Sequence, residues 1–178
     1  SFVYGRDGNP TVEILEQKVA ALEEGAAGIA FASGMAAASA AILATCRAGS
    51  HIICMRDVYQ PIKNILRQYL LPNLDMSVSF WDGPDLQKLE GMITEKTSLI
   101  LLESPATFVF TVTDLCGVAE IAGRHGVKTY LDNTYCTPLY QKPLTMGIDI
   151  VMHTMSKYIG GHSDMIGGIL VVKDGKLG

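Results

Sequence analysis

Apolar positions along the chain follow two alternating rhythms. Val12, Leu15, Val19 and Leu22 recur at intervals of three and four behind Asn9 and Pro10, which predicts a helix capped by Asn9 and closed at Gly25. From there, short runs that are apolar throughout alternate with helical spacing. Strands are expected at "AGIAFAS" (27–33), "HIICM" (51–55), "SVSFW" (77–81), "SLILLES" (98–104), "VKTYLDN" (127–133), "DIVMHT" (149–154) and "GILVV" (168–172). The helices between them are expected at Met35 to Cys46, about Ile62 to Leu71, Asp85 to Met92 and Leu115 to Arg124. Strands without polar alternation are buried on both faces, so the pattern predicts an α/β fold: a mostly parallel sheet with helices on both faces.

In such a sheet ligands bind beyond the carboxyl ends of the strands, where strand-to-helix loops converge. The loops to read are therefore Ser33 to Met35, Asp57 to Tyr59, Glu103 to Phe108, Asp132 to Thr137 and Thr154 to Lys157. No internal repeat or low-complexity linker interrupts the series, so residues 1–178 are expected to form one domain. The chain begins without methionine and ends at a strand-like run followed by "KDGKLG", as a piece of a longer protein would.

Composition narrows the partner. With 48% apolar residues the chain can bury one good core. Eighteen acidic against 14 basic residues argue against a general nucleic-acid or membrane-surface binder and favour a small-molecule partner. The apolar runs are too short to span a bilayer, and a signal-peptide profile is missing at the start, so a cytoplasmic location is expected. Cys46, Cys54, Cys116 and Cys136 have no C-x-x-C spacing and read as buried reduced thiols. The four histidines show no H-E-x-x-H spacing, and no metal is expected.

Three loops carry candidate chemistry, each with a plainer alternative. Ser33-Gly34 turns from a strand into an alanine-rich helix; it either needs glycine for a tight turn or aims helix amides and a hydroxyl at a phosphate. Asp132 ends an apolar strand, where it either caps the turn through Asn133 and Thr134 or faces a cationic ring nitrogen. Lys157 follows Thr154 and Ser156; it either snorkels to solvent or loses its proton and attacks a carbonyl carbon. Tyr59 offers a flat ring for packing or for stacking on an aromatic ligand. Neither a P-loop nor a dinucleotide fingerprint occurs, which disfavours a nucleotide-binding α/β protein.

Together these stretches resemble the pyridoxal-phosphate enzymes of cysteine and methionine metabolism, the family of cystathionine gamma-synthase, cystathionine lyases and methionine gamma-lyase. The resemblance runs through "YGRDGNPTVEILEQKVAALEEG", "FASGMAA", "DVYQ", "ESPATFVFTVTDL" and "LDNTYCTPLYQKPLTMGIDIVMHTMSKYIGGHSD". It implies a three-layer, aspartate-aminotransferase-like large domain (PLP fold type I) binding pyridoxal 5'-phosphate, with elimination or replacement at the beta or gamma carbon of an amino acid. It also implies site roles. Lys157 would bond the cofactor and shuttle protons, Asp132 would pair with the ring nitrogen, and Tyr59 would stack on the ring. Ser33, Gly34 and Met35 would bind the phosphate, with hydroxyls from Thr154 and Ser156. Tyr4 and Arg6 are similar to the pair that reaches a neighbouring subunit's phosphate, which implies a homodimer or homotetramer.

Departures from the family pattern matter as much. Thr107 stands where the family has an asparagine that hydrogen-bonds an oxygen of the cofactor ring, and a threonine has one hydroxyl and less reach. "YGR" replaces Y-S-R, and Pro61 lies near the cysteine typical of methionine gamma-lyases, which points away from that activity. The family's C-terminal domain, with the arginine that binds the substrate carboxylate, has no counterpart in these residues. A catalytically incomplete homologue that keeps only the cofactor-binding fold is the alternative expectation.

Overall fold

In the computed structural model, which describes residues 4, 5 and 7–175, the chain folds into a seven-stranded sheet sandwiched by helices. The elements run α1 (Pro10–Glu23), β1 (Ala27–Phe31), α2 (Gly34–Thr45), β2 (His51–Met55), α3 (Gln60–Ile65), a π-helical turn (Leu66–Leu70) and α4 (Leu71–Leu74). They continue with β3 (Ser77–Trp81), α5 (Leu86–Gly91), β4 (Thr97–Glu103), α6 (Leu115–His125), β5 (Lys128–Asp132) and α7 (Thr137–Tyr140). A 3-10 turn (Pro143–Met146), β6 (Ile150–Thr154), a π-helical turn (Met155–Ile159) and β7 (Gly168–Val172) complete them.

Strand order is β1-β7-β6-β5-β4-β2-β3. Pairings among β6, β5, β4, β2 and β3 are parallel, whereas β7 runs antiparallel to both β6 and β1. The expected mostly parallel sheet therefore holds with one reversed strand. A hairpin-like return from β6 through residues 160–167 places β7 beside it without a crossover helix.

Successive strand residues point to opposite faces, and each face has its own core. Ile52, Cys54, Leu99, Leu101, Tyr130, Ile150 and Met152 pack with Ala37, Ala38, Ala41 and Ile42 of α2 and with Ile62, Leu66 and Leu70. Ile53, Ile100, Leu102, Leu131 and Val151 pack on the other side with Val19 and Ala20 of α1, Leu89 of α5 and Val118 and Ile121 of α6. These are the two covered faces that the uninterrupted apolar strands predict. At the β1 edge, Glu16 of α1 accepts a hydrogen bond from the Ala30 amide at 2.7 Å, occupying a group that would otherwise invite strand addition.

Local differences have physical causes. α1 closes with Glu24, not Gly25, in the left-handed conformation (φ 58°), while a Cβ on Gly25 would stand 2.7 Å from the Leu144 side chain. The segment expected as one helix from Ile62 to Leu71 is broken by the π turn, which immediately precedes Pro72's missing amide proton. α7 and the 3-10 turn lie in a stretch for which the sequence pattern names no helix or strand. Cys46 and Cys54 are buried, but Cys116 is exposed and Cys136 half-buried, so the buried-thiol expectation holds for two of the four.

Gly168 sits where β1, β6 and the start of α2 converge: it pairs with both Phe31 and Thr154, and a Cβ there would collide with the Ser33 carbonyl and lie 2.8 Å from Gly34 Cα. Gly168→Ala is therefore expected to lower unfolding stability by about 1–3 kcal/mol in urea titrations. Gly123→Ala, in α6 with open space around the new methyl, is expected to raise it by about 0.5–1 kcal/mol. Equal shifts for the two would refute the close-approach argument.

Candidate active site

The strand ends named by the sequence do converge. A cavity of about 460 Å³ lies at the carboxyl edge of the sheet, within the size range of small-molecule sites. Ser33, Gly34 and Met35 line it from the β1–α2 turn, and Thr154, Ser156 and Lys157 from the end of β6. Asp132 enters from β5, Thr107 from the loop after β4, and Tyr59 from the loop after β2. Tyr4, half exposed, is not among the lining residues, and Arg6 lies outside the described residues.

Strand order spreads these groups along the sheet edge. The β1 and β6 turns, with amides and hydroxyls, lie on one side, the carboxylate ends of β5 and β4 come next, and Tyr59 follows from β2. Ser33 caps α2, its Oγ accepting the Ala36 amide at 3.0 Å, which leaves the hydroxyl proton for another acceptor. The first amides of a 12-residue helix have no acceptor within the helix, so the Gly34 and Met35 turn presents donors at a positive helix end. The turn packs so closely on β6 that a Cβ on Gly34 would stand 2.6 Å from Thr154 Cβ.

Asp132 realises the plainer of its two readings without excluding the other. Its Oδ1 accepts the Thr134 amide at 3.0 Å, as a turn cap does, and the residue still lines the cavity. Burial raises its carboxyl above the usual range, opposed by the Thr134 hydrogen bonds and by His153. Lys157 is exposed at the cavity and departs from the helical geometry of its neighbours (φ −107°, ψ −119°). Among the described residues no carboxylate lies within ion-pair distance of its amine.

Several contributors were invisible as sequence motifs. Glu103, the register partner of Asp132, accepts the Tyr59 amide at 2.7 Å and the Thr107 hydroxyl. Burial, then the charge of Asp132, pushes the Glu103 carboxyl up to about 7. Thr134 accepts the Thr154 amide at 2.9 Å and so joins the ends of β5 and β6. Tyr135 stands edge-on to Tyr158 at 5.9 Å and 5.4 Å from Phe110, forming an aromatic rim next to Lys157. Only position could have flagged them: Thr134 and Tyr135 follow Asp132, and Tyr158 follows Lys157.

On the α1 side of the sheet a buried polar cluster braces the same loops. Asn133 donates to Glu23 Oε1 and to the Gln141 carbonyl, both at 2.9 Å, and Gln141 donates to the Ser104 carbonyl at 2.9 Å. His153 Nε2 lies 2.5 Å from Glu23 Oε1, with both residues fully buried. Loops after β4 and β5 are thereby tied to one another and to α1.

The donor set fits a phosphorylated, protonated heteroaromatic ring. Helix amides and hydroxyls suit a phosphate. Two adjacent, desolvated carboxylates without a cationic side-chain partner among the described residues suit a cationic nitrogen.

Comparisons with known proteins agree. A family model described as Cys/Met metabolism PLP-dependent enzyme matches residues 1–178. The chain is 42% identical to a cystathionine beta-lyase of Coxiella burnetii over 98% of its own length and 45% of the relative's. It is 40% identical to a cystathionine gamma-lyase of Bacillus subtilis over 99% of its length and 46% of the relative's. A crystal structure of cystathionine gamma-lyase from Lactobacillus plantarum complexed with L-serine superposes with a TM-score of 0.92 and 42% identity, over 96% of this chain and 44% of that one. The chain thus spans about half the length of the curated relatives it matches.

The raised Glu103 carboxyl has a thermodynamic consequence. Between the ordinary value of 4.5 and about 7 the folded protein holds a proton that the unfolded chain has released, so stability falls as pH rises through that window. The loss is on the order of 3 kcal/mol, and Asp132 contributes in the same sense. Urea unfolding of ligand-free protein across this window should show that decline, and Glu103→Gln should flatten it. An unchanged slope in the variant would refute the assignment to Glu103.

Proposed function

The chain belongs to the Cys/Met metabolism PLP-dependent enzyme family, and from that premise we propose that residues 1–178 form the cofactor-binding large domain of a trans-sulfuration enzyme. The reaction is elimination or replacement at the beta or gamma carbon of a sulfur amino acid or an activated homoserine. The observation that carries this reading is one cavity at the sheet edge that gathers the Lys157 amine, the buried Asp132 carboxylate, the Ser33–Met35 helix end and the Tyr59 ring.

Pyridoxal phosphate, when bound, supplies an electron sink for negative charge developing at the α-carbon of an amino acid. The chain's own residues hold and orient it. Gly34 and Met35 amides at the start of α2, with hydroxyls of Ser33, Thr154 and Ser156, bind the phosphate. Asp132, whose ionised form is favoured by the Thr134 hydrogen bonds and by His153, would face the ring nitrogen and favour its protonated form. Tyr59 stacks on the ring. Lys157 would be the residue that holds the cofactor covalently, and its amine, when free, would be placed to take the α-proton of an amino acid and to give a proton to the leaving group.

A homo-oligomer follows from the same reading, with Tyr4 and Arg6 reaching a neighbour's phosphate. Support comes from large apolar side chains left exposed on the segments that follow β4, β5 and β6, where Phe108, Leu139, Tyr140 and Ile166 are 89%, 79%, 82% and 78% exposed. A small amino-acid substrate is consistent with the L-serine held by the Lactobacillus plantarum relative. We place the protein in the cytoplasm, where the exposed Cys116 stays reduced. No helix among the described residues is long and apolar enough to cross a membrane.

Purified protein mixed with pyridoxal phosphate is expected to gain a visible absorbance band that borohydride abolishes, with the reduced label on Lys157. Lys157→Ala should remove the band and lower turnover by at least about a thousandfold. A spectrum indifferent to that substitution would sink the assignment. Release of hydrogen sulfide or 2-oxo acid from cystathionine, methionine and cysteine, set against cystathionine formation from an acylated homoserine, then separates elimination from replacement.

A further inference from the structure

Glu103 joins three parts of the pocket lining. Its Oε2 accepts the Tyr59 amide at 2.7 Å, its Oε1 is hydrogen-bonded to the Thr107 hydroxyl, and Asp132 is its register partner on the adjacent strand. All four residues line the cavity. Carboxyl groups placed side by side and away from water do not both ionise readily near neutral pH, and the one with fewer compensating charges keeps its proton. Hydrogen bonds favour the ionised form of both, from Thr134 for Asp132 and from Tyr59 and Thr107 for Glu103, but the charged neighbour of Asp132 is His153, whereas that of Glu103 is Asp132 itself, a repulsive one.

The other titratable groups around Glu103 do not reverse that order. Cys54 on β2 is pushed up to about 12 by burial, so it adds no charge, and Lys63 and Arg67 on the helical segment beyond it act on that thiol. Tyr130 on β5 is fully buried with a hydroxyl that has no partner among the described residues, and burial with the two carboxylates keeps it protonated. Tyr59, Tyr135, Tyr158 and Lys157 complete the titratable lining of the cavity.

Protonation of Glu103 decides where the Thr107 proton goes. An ionised Glu103 can only accept, so the single hydroxyl proton of Thr107 must point at it. A protonated Glu103 donates to Thr107 Oγ1 through the same contact, and the threonine proton is released to point into the cavity. An asparagine at position 107 would have amide protons to spare for a ligand, whereas a threonine has none unless its neighbour supplies one.

We propose that Glu103 and Thr107 form a donor relay: Glu103, carrying a proton, donates to Thr107 Oγ1, and Thr107 in turn donates to the anionic oxygen on the ring of bound pyridoxal phosphate. The proposal rests on the cofactor reading above. It makes Glu103 a positioning residue and Thr107 the contact that distinguishes this pocket. As pH rises past the point where Glu103 ionises, the relay reverses and the ring oxygen loses its donor.

The test titrates pyridoxal phosphate into wild-type, Glu103→Gln, Thr107→Val, Thr107→Ser and Lys157→Ala proteins between about pH 6 and about pH 8.5, reading the dissociation constant and the position of the visible band. Wild type is expected to weaken about three- to tenfold across the range relative to Glu103→Gln, a comparison that removes the cofactor's own titration. The Gln amide donates to Thr107 permanently while its carbonyl accepts the Tyr59 amide, so that variant keeps the low-pH affinity. Thr107→Val should bind about tenfold more weakly at low pH with the Glu103-linked pH response gone, and Thr107→Ser should restore both. Unfolding midpoints of the ligand-free variants confirm that each is folded. If Glu103→Gln follows wild type through the whole range, or Thr107→Val binds as tightly as wild type at low pH, the relay is overturned while a band that depends on Lys157 leaves the cofactor reading standing. Absence of that band in wild type overturns both.

Discussion

The geometry of the site hangs on a close approach of backbones. Gly168, the first residue of β7, lies between the last residues of β1 and β6, and Gly34 at the head of α2 packs directly on Thr154. No side chain larger than hydrogen fits at either glycine without moving its neighbours. This seam lets a reversed strand sit between β1 and β6 while their following loops still share one cavity. The amides of α2 and the loop carrying Lys157 are therefore held side by side, although more than 120 residues separate them in sequence. The fully buried Ala37, Ala38 and Ala41 continue the same logic down the helix, because small side chains let α2 lie close on β6 and β7.

Against that rigid frame the chain places groups that are costly to bury. Asp132 and Glu103 end adjacent strands on one face of the sheet, both desolvated, and burial raises the carboxyl of each. Such a pair destabilises the empty fold at neutral pH and becomes favourable when a cation takes its place between protein and ligand. Part of the cost is offset locally by the amides of Thr134 and Tyr59 and by the hydroxyl of Thr107. The Glu23–Asn133–Gln141 cluster on the α1 face ties down the loops that bear these residues. Stability and binding chemistry are thus drawn from opposite faces of the same strand ends.

Much of this was legible in the order of residues. Uninterrupted apolar strands such as "LILL" announce burial on both faces, and the alternation with helices announces a sheet whose ligand site lies at the strand ends. Nine of the eleven residues expected at the site line the cavity. Tyr4 does not, and Arg6 lies outside the described residues. Glu103 opens one of the loops the sequence marks but receives no role there, because a glutamate after four apolar residues looks like any strand terminus; its significance comes from Asp132, which is 29 positions away in sequence and adjacent in the sheet. From sequence Thr107 reads as a shorter substitute for an asparagine, while the fold engages its hydroxyl with Glu103.

Periodicity, caps and loop composition are local properties, so the sequence by itself determined the element order, the two-faced sheet and the candidate loops. Each loop residue, however, kept a plain structural alternative until its neighbours across the sheet were known. Only the tertiary structure decided that β7 is reversed, that Asp132 is at once a turn cap and a cavity wall, and that it shares its strand edge with a second carboxylate. The reason is that desolvation and charge repulsion depend on distance in space, and sheet pairing between parallel strands brings together residues that no local pattern connects.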